Sequence, residues 1–174
     1  MAKILKFNDF LNTILNESWK DVDPTIKKNA AGVAIIFTND FIDRILLVHP
    51  TGASWKKGTC GIPKGGMEPG ENPMEAALRE LKEETGIILS PKDLDPEPQV
   101  VQIYDKKGKK VNRQLIYFVL RITELSQIGL DTIFVPKSQL QKDEIDWAKF
   151  VSADEAYPIT SRTQLIIVDR LLSK

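Results

Sequence analysis

Cysteine is almost missing from this chain, and Cys60, standing alone, cannot close an intramolecular disulfide. With no signal-like apolar segment in the sequence, that usage fits a reducing compartment, and the expected location is cytoplasmic. Long apolar runs are missing too. The longest candidates, residues 30–37 and 115–120, fall well short of the roughly 20 residues that cross a bilayer, so no membrane partner is expected. An excess of charge of one sign is also lacking: Lys plus Arg and Asp plus Glu both total 24. No net field is left to hold a long nucleic acid or an anionic surface, no stable nucleic-acid complex is expected, and any phosphate recognition must be local. No RNP-like aromatic motif favours an RNA-binding module. Histidine is down to one residue, His49 at the end of an apolar run, and both it and Cys60 read as packing residues.

What is present suits one compact domain with a terminal extension, for 174 residues can bury a substantial core. Residues 1–29 read as an amphipathic helix and a polar connector, and residues 30–174 as the folded domain. Phe7, Phe10, Leu11, Ile14 and Leu15 fall at helical spacing, with Asn8 the candidate cap. That apolar face packs against the domain or against a partner, which makes a homodimer possible. Residues 32–37 and 44–49 form a hairpin candidate across the Asn39 and Asp40 turn chemistry. Residues 51–70, dense in glycine and holding Pro63 and Pro69, read as an ordered loop system rather than a regular element. Further strands are expected over 99–104, 113–122 and 145–151, with a charged turn at 105–110, and a closing helix over 160–172. Strands interleaved with helices in this order give an α/β fold with a mixed sheet covered on both faces.

A helix is most firmly marked after the glycine loop. Asn72 is its N-cap, Pro73 fits the first helical position, Glu75 completes a capping box and Gly86 supplies the stop. On this helix Met74, Ala77, Leu78 and Leu81 make one stripe, and Glu80, Glu83 and Glu84 cluster on another, so a buried face and an acidic face are predicted. Ala76, one turn before Glu80, would leave room there for a cation and a phosphate. Carboxylates three and four residues apart repel by roughly 0.2–0.5 kcal/mol per exposed pair, and a divalent cation reverses that sign. Oxygen-only ligands suit Mg²⁺ or Mn²⁺ better than Zn²⁺.

The acids keep company at fixed distances. Gly65, Glu71, Arg79, Glu80, Leu81, Glu83, Glu84, Gly86 and Ile87 fill the pattern G-x5-E-x7-R-E-U-x-E-E-x-G-U, with U a bulky aliphatic, in the stretch GGMEPGENPMEAALRELKEETGI. In this the chain resembles the Nudix hydrolases. The resemblance implies an α/β/α sandwich and metal-dependent hydrolysis of a diphosphate linkage in a nucleoside diphosphate joined to another moiety. It also implies roles by motif position. Glu80 and Glu84 are the principal metal ligands, Glu83 is a further ligand or holds a water beside the metal, and Gly65 offers its carbonyl. Glu71 and Arg79 brace the loop against the helix. The general base lies in the helix or on a later loop, with Glu144 the leading candidate from outside the motif and Asp143 and Asp146 its rivals.

The segment from Trp55 to Glu71 resembles family members acting on dinucleoside polyphosphates, on RNA 5′ ends or on diphosphoinositol phosphates. Lys64, Trp55 and Gly66 are the substrate-binding candidates, with Lys64 as a point charge for a polyphosphate. Trp55, Phe134 and Tyr117 are the aromatics that either stack on a base or serve as core and loop packing, the reading that suits each taken singly. Lys106, Lys107, Lys109 and Lys110 around Gly108 form a basic hairpin tip, either solvated or meeting a polyphosphate. A non-catalytic nucleotide-binding module of the same fold is the alternative class, although such modules typically lose acids that this chain keeps.

Overall fold

In the computed structural model, residues 22–23, 25–26, 28–104, 107 and 109–172 are described, and the expected N-terminal helix lies outside them. Strand β1 (Lys28–Asn39) organises the sheet, because residues 31–37 are buried without interruption. Ala31, Val33, Ile35 and Phe37 enter one core, whereas Ala34 and Ile36 enter the other. A strand covered on both faces reads as a continuous apolar run, which is what the sequence offers here. Strand β2 (Ile42–Pro50) returns antiparallel, with Asn39 opposite Ile42. The two residues between them, Asp40 and Phe41, both take positive φ, 50° and 62°, the turn geometry whose twist matches that of the flanking strands.

A 3₁₀ turn at Trp55–Lys57 and the short strand β3 (Lys64–Gly66) follow, so the stretch expected to lack regular elements contributes one to the sheet. Next come helix α1 (Pro73–Thr85) and strands β4 (Gln99–Tyr104), β5 (Lys110–Ile122) and β6 (Ile145–Val151). The order across the sheet is β4-β5-β1-β2-β6, with β3 paired to β1. Only β1 and β5 run parallel among the named pairs, from Lys28 opposite Arg113 to Phe37 opposite Ile122. Helix α1 supplies Ala76, Ala77 and Leu81 to the core on one face. Helices α2 (Ala153–Ile159) and α3 (Leu165–Leu172) supply Ala156, Ile167, Val168 and Leu171 to the core on the other. The result is an α/β/α sandwich around a mixed sheet. No described helix is long and apolar enough to cross a membrane.

The closing helix differs from its expected 160–172. Residues around Thr160 leave helical geometry because their backbone bonds across to the Cys60 loop: the Cys60 amide donates to Ile159 O at 2.9 Å and the Ser161 amide to Cys60 O at 2.8 Å. Helix α2, ahead of that break, was not expected, although Ser152 and Glu155 offered a capping-box signal for it, and the Ser152 amide donates to Glu155 Oε2 at 3.0 Å. Pairing of β3 with β1 also fixes a close approach. A Cβ on Gly32 would lie 2.5 Å from Pro63 O and 2.7 Å from Lys64 Cβ. Gly32→Ala is therefore expected to part β1 from the loop before β3 and cost about 2 kcal/mol, the usual scale of overpacking. Urea denaturation reads it, and an unchanged midpoint would contradict the approach.

Candidate active site

Helix α1 is built as its caps require. The Asn72 side chain accepts the Glu75 amide at 2.9 Å, Glu75 Oε2 accepts the Asn72 amide at 3.0 Å, and Gly86, at φ 71°, donates to Lys82 O. The division into an apolar and an acidic face does not hold. Glu80 and Glu84 are buried, sharing the inner flank with Ala77 and Leu81, and of the three acids only Glu83 is exposed. Helical spacing puts 77, 80, 81 and 84 within one arc, so a stripe drawn by polarity cut through it. Ala76 is wholly buried in the apolar core, so its methyl serves packing. The space beside Glu80 comes from Gly65 instead. A Cβ there would sit 2.1 Å from the Glu80 carboxyl carbon.

Arg79 ties loop to helix. Its Nε and Nη2 donate to the two carboxylate oxygens of Glu71 at 2.8 and 3.0 Å, and Nη2 also donates to Gly66 O at 2.9 Å. Nη1 donates to Glu80 Oε1 at 2.7 Å and to Glu83 Oε2 at 3.2 Å. Burial alone would raise the Glu71 carboxyl, but the Arg79 bond, the Glu68 amide and the Arg79 charge together bring it below the usual carboxylate range.

Glu80 and Glu84 behave oppositely. Burial raises the Glu80 carboxyl despite Arg79, with the charges of Glu83 and Glu144 adding to the rise. Burial pushes Glu84 up to about 8, opposed by the Lys64 amide and charge and reinforced by Glu80 and Glu144. Among the described residues no three Asp, Glu, His or Cys side chains converge at metal-ligand spacing. The partners explain why: Glu80 and Glu83 turn to Arg79, while Glu84 Oε2 accepts the Lys64 amide at 3.0 Å. The donor chemistry still fits a hard divalent cation. Its donors are all oxygens, and two of the carboxylates are buried against each other's charge, so a cation would take the place of the protons that burial favours.

Two recesses meet at Lys64, and one of them reaches α1. One, of about 360 Å³, is lined by Glu84, Glu144, Lys64, Thr59 and Gln164 among others. Glu144 thus lies beside Glu84, immediately before β6, and is exposed. The other, of about 660 Å³, is lined by Lys28, Lys64, Gly66, Glu71, Arg113 and Gln164, with Ala30, Val101, Ile103 and Leu115 as an apolar floor. Lys28, Arg113 and Gln164 carried no local signal, because the β1–β5 pairing and the α2–α3 link bring them in from 85 and 51 positions apart.

Of the aromatics, Tyr117 is fully buried and donates to Gln99 Oε1 at 2.7 Å, so it cannot stack on a base. Phe134 is half exposed under Lys149 on β6, outside both recesses. Trp55 is 46 % exposed. Burial, with the charge of Asp146, pushes the Cys60 thiol up to about 12, which makes it inert, and His49 is likewise buried. Of the basic tip, Lys106 and Gly108 lie outside the described residues.

Comparison with known proteins agrees with this geometry. The NUDIX domain family model matches residues 28–170. The chain belongs to the Nudix family. It is 29 % identical over 114 residues to the m7GpppN-mRNA hydrolase dcap-2 of Caenorhabditis elegans, covering 66 % of this chain and 13 % of that protein. It is 28 % identical over 127 residues to diphosphoinositol polyphosphate phosphohydrolase 3-alpha of Mus musculus, covering 73 % of this chain and 66 % of that one. The chain thus spans only a small part of the decapping hydrolase it matches. A crystal structure of a C. elegans Ap4A hydrolase binary complex superposes with a TM-score of 0.57 at 22 % identity, over 82 % of this chain and 93 % of the other. That likeness shows the Nudix fold.

Proposed function

We propose that this Nudix protein is a cytoplasmic, metal-dependent hydrolase of a diphosphate linkage in a nucleoside diphosphate joined to another moiety, with dinucleoside polyphosphates the leading substrate class. The reading is carried by one observation: the buried Glu84 borders, through Lys64, a cavity lined by three cationic side chains, Lys28, Lys64 and Arg113, and Glu80 lies beside it against Gly65. Lys28 and Arg113 are direct neighbours in the β1–β5 ladder and both line it, an arrangement of like charges that an anionic guest relieves. Glu68 is at the rim, and Glu71 is committed to Arg79.

Family members generally use a divalent metal, and here Mg²⁺ or Mn²⁺ would be held by Glu80 and Glu84, with Glu83 and the Gly65 carbonyl. When bound, it would offset phosphate charge and make water a stronger nucleophile at neutral pH. Lys64 would meet a phosphate, and Glu144, exposed in the smaller recess beside Glu84, would take a proton from water. Arg79 and Glu71 hold the loop that presents Gly65 and Gly66. Retention of every motif acid argues against a binding-only module.

The test is release of product with Mg²⁺ or Mn²⁺ across dinucleoside polyphosphates, ADP-ribose, NADH, nucleoside triphosphates, diphosphoinositol phosphates and triphosphorylated RNA. Hydrolysis of a two-nucleoside substrate is expected. Tight binding of one compound with no hydrolysis of any would sink the enzyme reading. A cation that binds only the folded site should also raise the melting temperature at millimolar concentration, and it should do so less in Glu80→Gln/Glu84→Gln.

A further inference from the structure

Trp55 stands on a constructed support. Its indole stacks on the His49 imidazole with 3.7 Å between ring centroids and 4° between planes, and Trp147 lies edge-on at 5.3 Å and 87°. His49 is fixed in turn, with Nδ1 2.6 Å from Asp146 Oδ1 and the ring 1 % exposed. That contact makes Nδ1 the donor and settles the ring's orientation. One face of Trp55 is spent on His49, and with Trp147 also against it the residue still stays 46 % exposed. Lys56 and Lys57 follow it directly and are exposed. An aromatic face beside cations is the combination that accepts a base and the phosphates attached to it.

The platform is also tied to the site. The Thr51 amide donates to Glu144 O at 2.7 Å, and Thr51 Oγ1 donates to Lys142 O at 3.0 Å. Thr59 Oγ1 donates to Ser54 O at 3.3 Å, and Thr59 lines the recess that holds Glu84 and Glu144. That recess shares Lys64 and Gln164 with the larger cavity. The platform and the larger cavity are thus both joined to the recess that holds Glu84 and Glu144.

We infer that Trp55 stacks the second nucleobase of a two-nucleoside substrate, with Lys56 and Lys57 meeting the phosphates that lead to it, and that His49 and Asp146 are positioning residues for the indole. This rests on the hydrolytic reading above. It names chemistry shared by a dinucleoside polyphosphate and a capped RNA 5′ end: a base at each end of a polyphosphate.

Steady-state kinetics with Mg²⁺ on diadenosine tetraphosphate, on a methylated cap dinucleotide and on ATP would test it in the wild type, Trp55→Ala, Trp55→Phe and Asp146→Asn. Trp55→Ala is expected to raise KM for the preferred two-base substrate about tenfold with little change in kcat, and to lower its preference over ATP by a similar factor. Trp55→Phe should restore most of the loss, and Asp146→Asn should fall between. Whichever two-base compound carries the larger effect identifies the source. An unchanged KM in Trp55→Ala, or equal losses on ATP and the two-base compounds, would overturn the inference. If the wild type turned over none of them, the hydrolytic reading would fail by itself. Quenching of indole fluorescence by the same compounds would then decide the platform, a quench lost in Trp55→Phe supporting it and the absence of any quench refuting it.

Discussion

Glu84→Gln is expected to silence turnover while leaving the fold as stable as the parent or slightly more so. The carboxylate lies 7 % exposed on the inner flank of α1, and burial together with the nearby Glu80 and Glu144 resists its ionisation. Glutamine keeps an oxygen to accept the Lys64 amide and removes a charge that is costly to bury. What it cannot do is supply an anionic ligand. Loss of that ligand should lower kcat by about 10²- to 10³-fold, the equivalent of several kcal/mol of transition-state charge stabilisation. Initial rates on whichever compound the wild type hydrolyses, with melting curves taken with and without Mg²⁺, separate the two effects. A variant that retained more than about a tenth of the activity would remove Glu84 from the metal site.

Arg79→Lys should damage both stability and rate, despite conserving charge. The guanidinium makes a forked contact with Glu71 and at the same time reaches Glu80, Glu83 and Gly66 O, a set of directions that one ammonium cannot reproduce. Glu71, its side chain 12 % exposed, would keep its charge and lose its fork, at a cost of about 2–3 kcal/mol, somewhat below the range for fully buried pairs. Freed from Arg79, Gly65 and Gly66 would no longer be held against α1, and activity should fall by about 10- to 100-fold, the usual effect of losing a group that orients ligands. Glu71→Gln is the companion measurement, since it keeps an acceptor for the guanidinium and should cost less on both counts. Equal urea midpoints for Arg79→Lys and wild type would show that the clamp contributes nothing to the fold.

Much of this site could be read before any coordinates, because its information is local. Asn72, Pro73, Glu75 and Gly86 mark the ends of α1 by rules that act within a single turn, and the helix ends where they place it. The spacing from Gly65 to Ile87 likewise identified the family that residues 28–170 match. The burial of Glu80 and Glu84 could not be read this way, since a helical wheel assigns carboxylates outward and only the sheet behind them decides otherwise. Nor could the pairing of Lys28 with Arg113, which depends on a parallel ladder between strands distant in sequence. The break at Thr160 was hidden for the same reason: apolar spacing there is helical, and the Cys60 backbone overrules it. Tyr117 packs in the core, the reading its place in an apolar strand run favours, although strand periodicity alone cannot tell a covered face from an open one when helices lie on both sides.

The bonds from residues 159–164 to the loop before β3 bear on when the site comes into being. Gln164 accepts the Ile62 amide at 2.9 Å, and Cys60 is bonded on both sides of Thr160, so the segment leading to Lys64 and Gly65 takes its shape against residues 159–164. Contacts of such long sequence separation form only after the chain between them is available. The carboxylates of α1 and their glycine loop precede those partners in the chain. The surface that sets their geometry is supplied by residues as far as 102 positions along the chain from the loop, so loss of α2 and α3 would leave the motif intact in sequence and remove what its loop is shaped against.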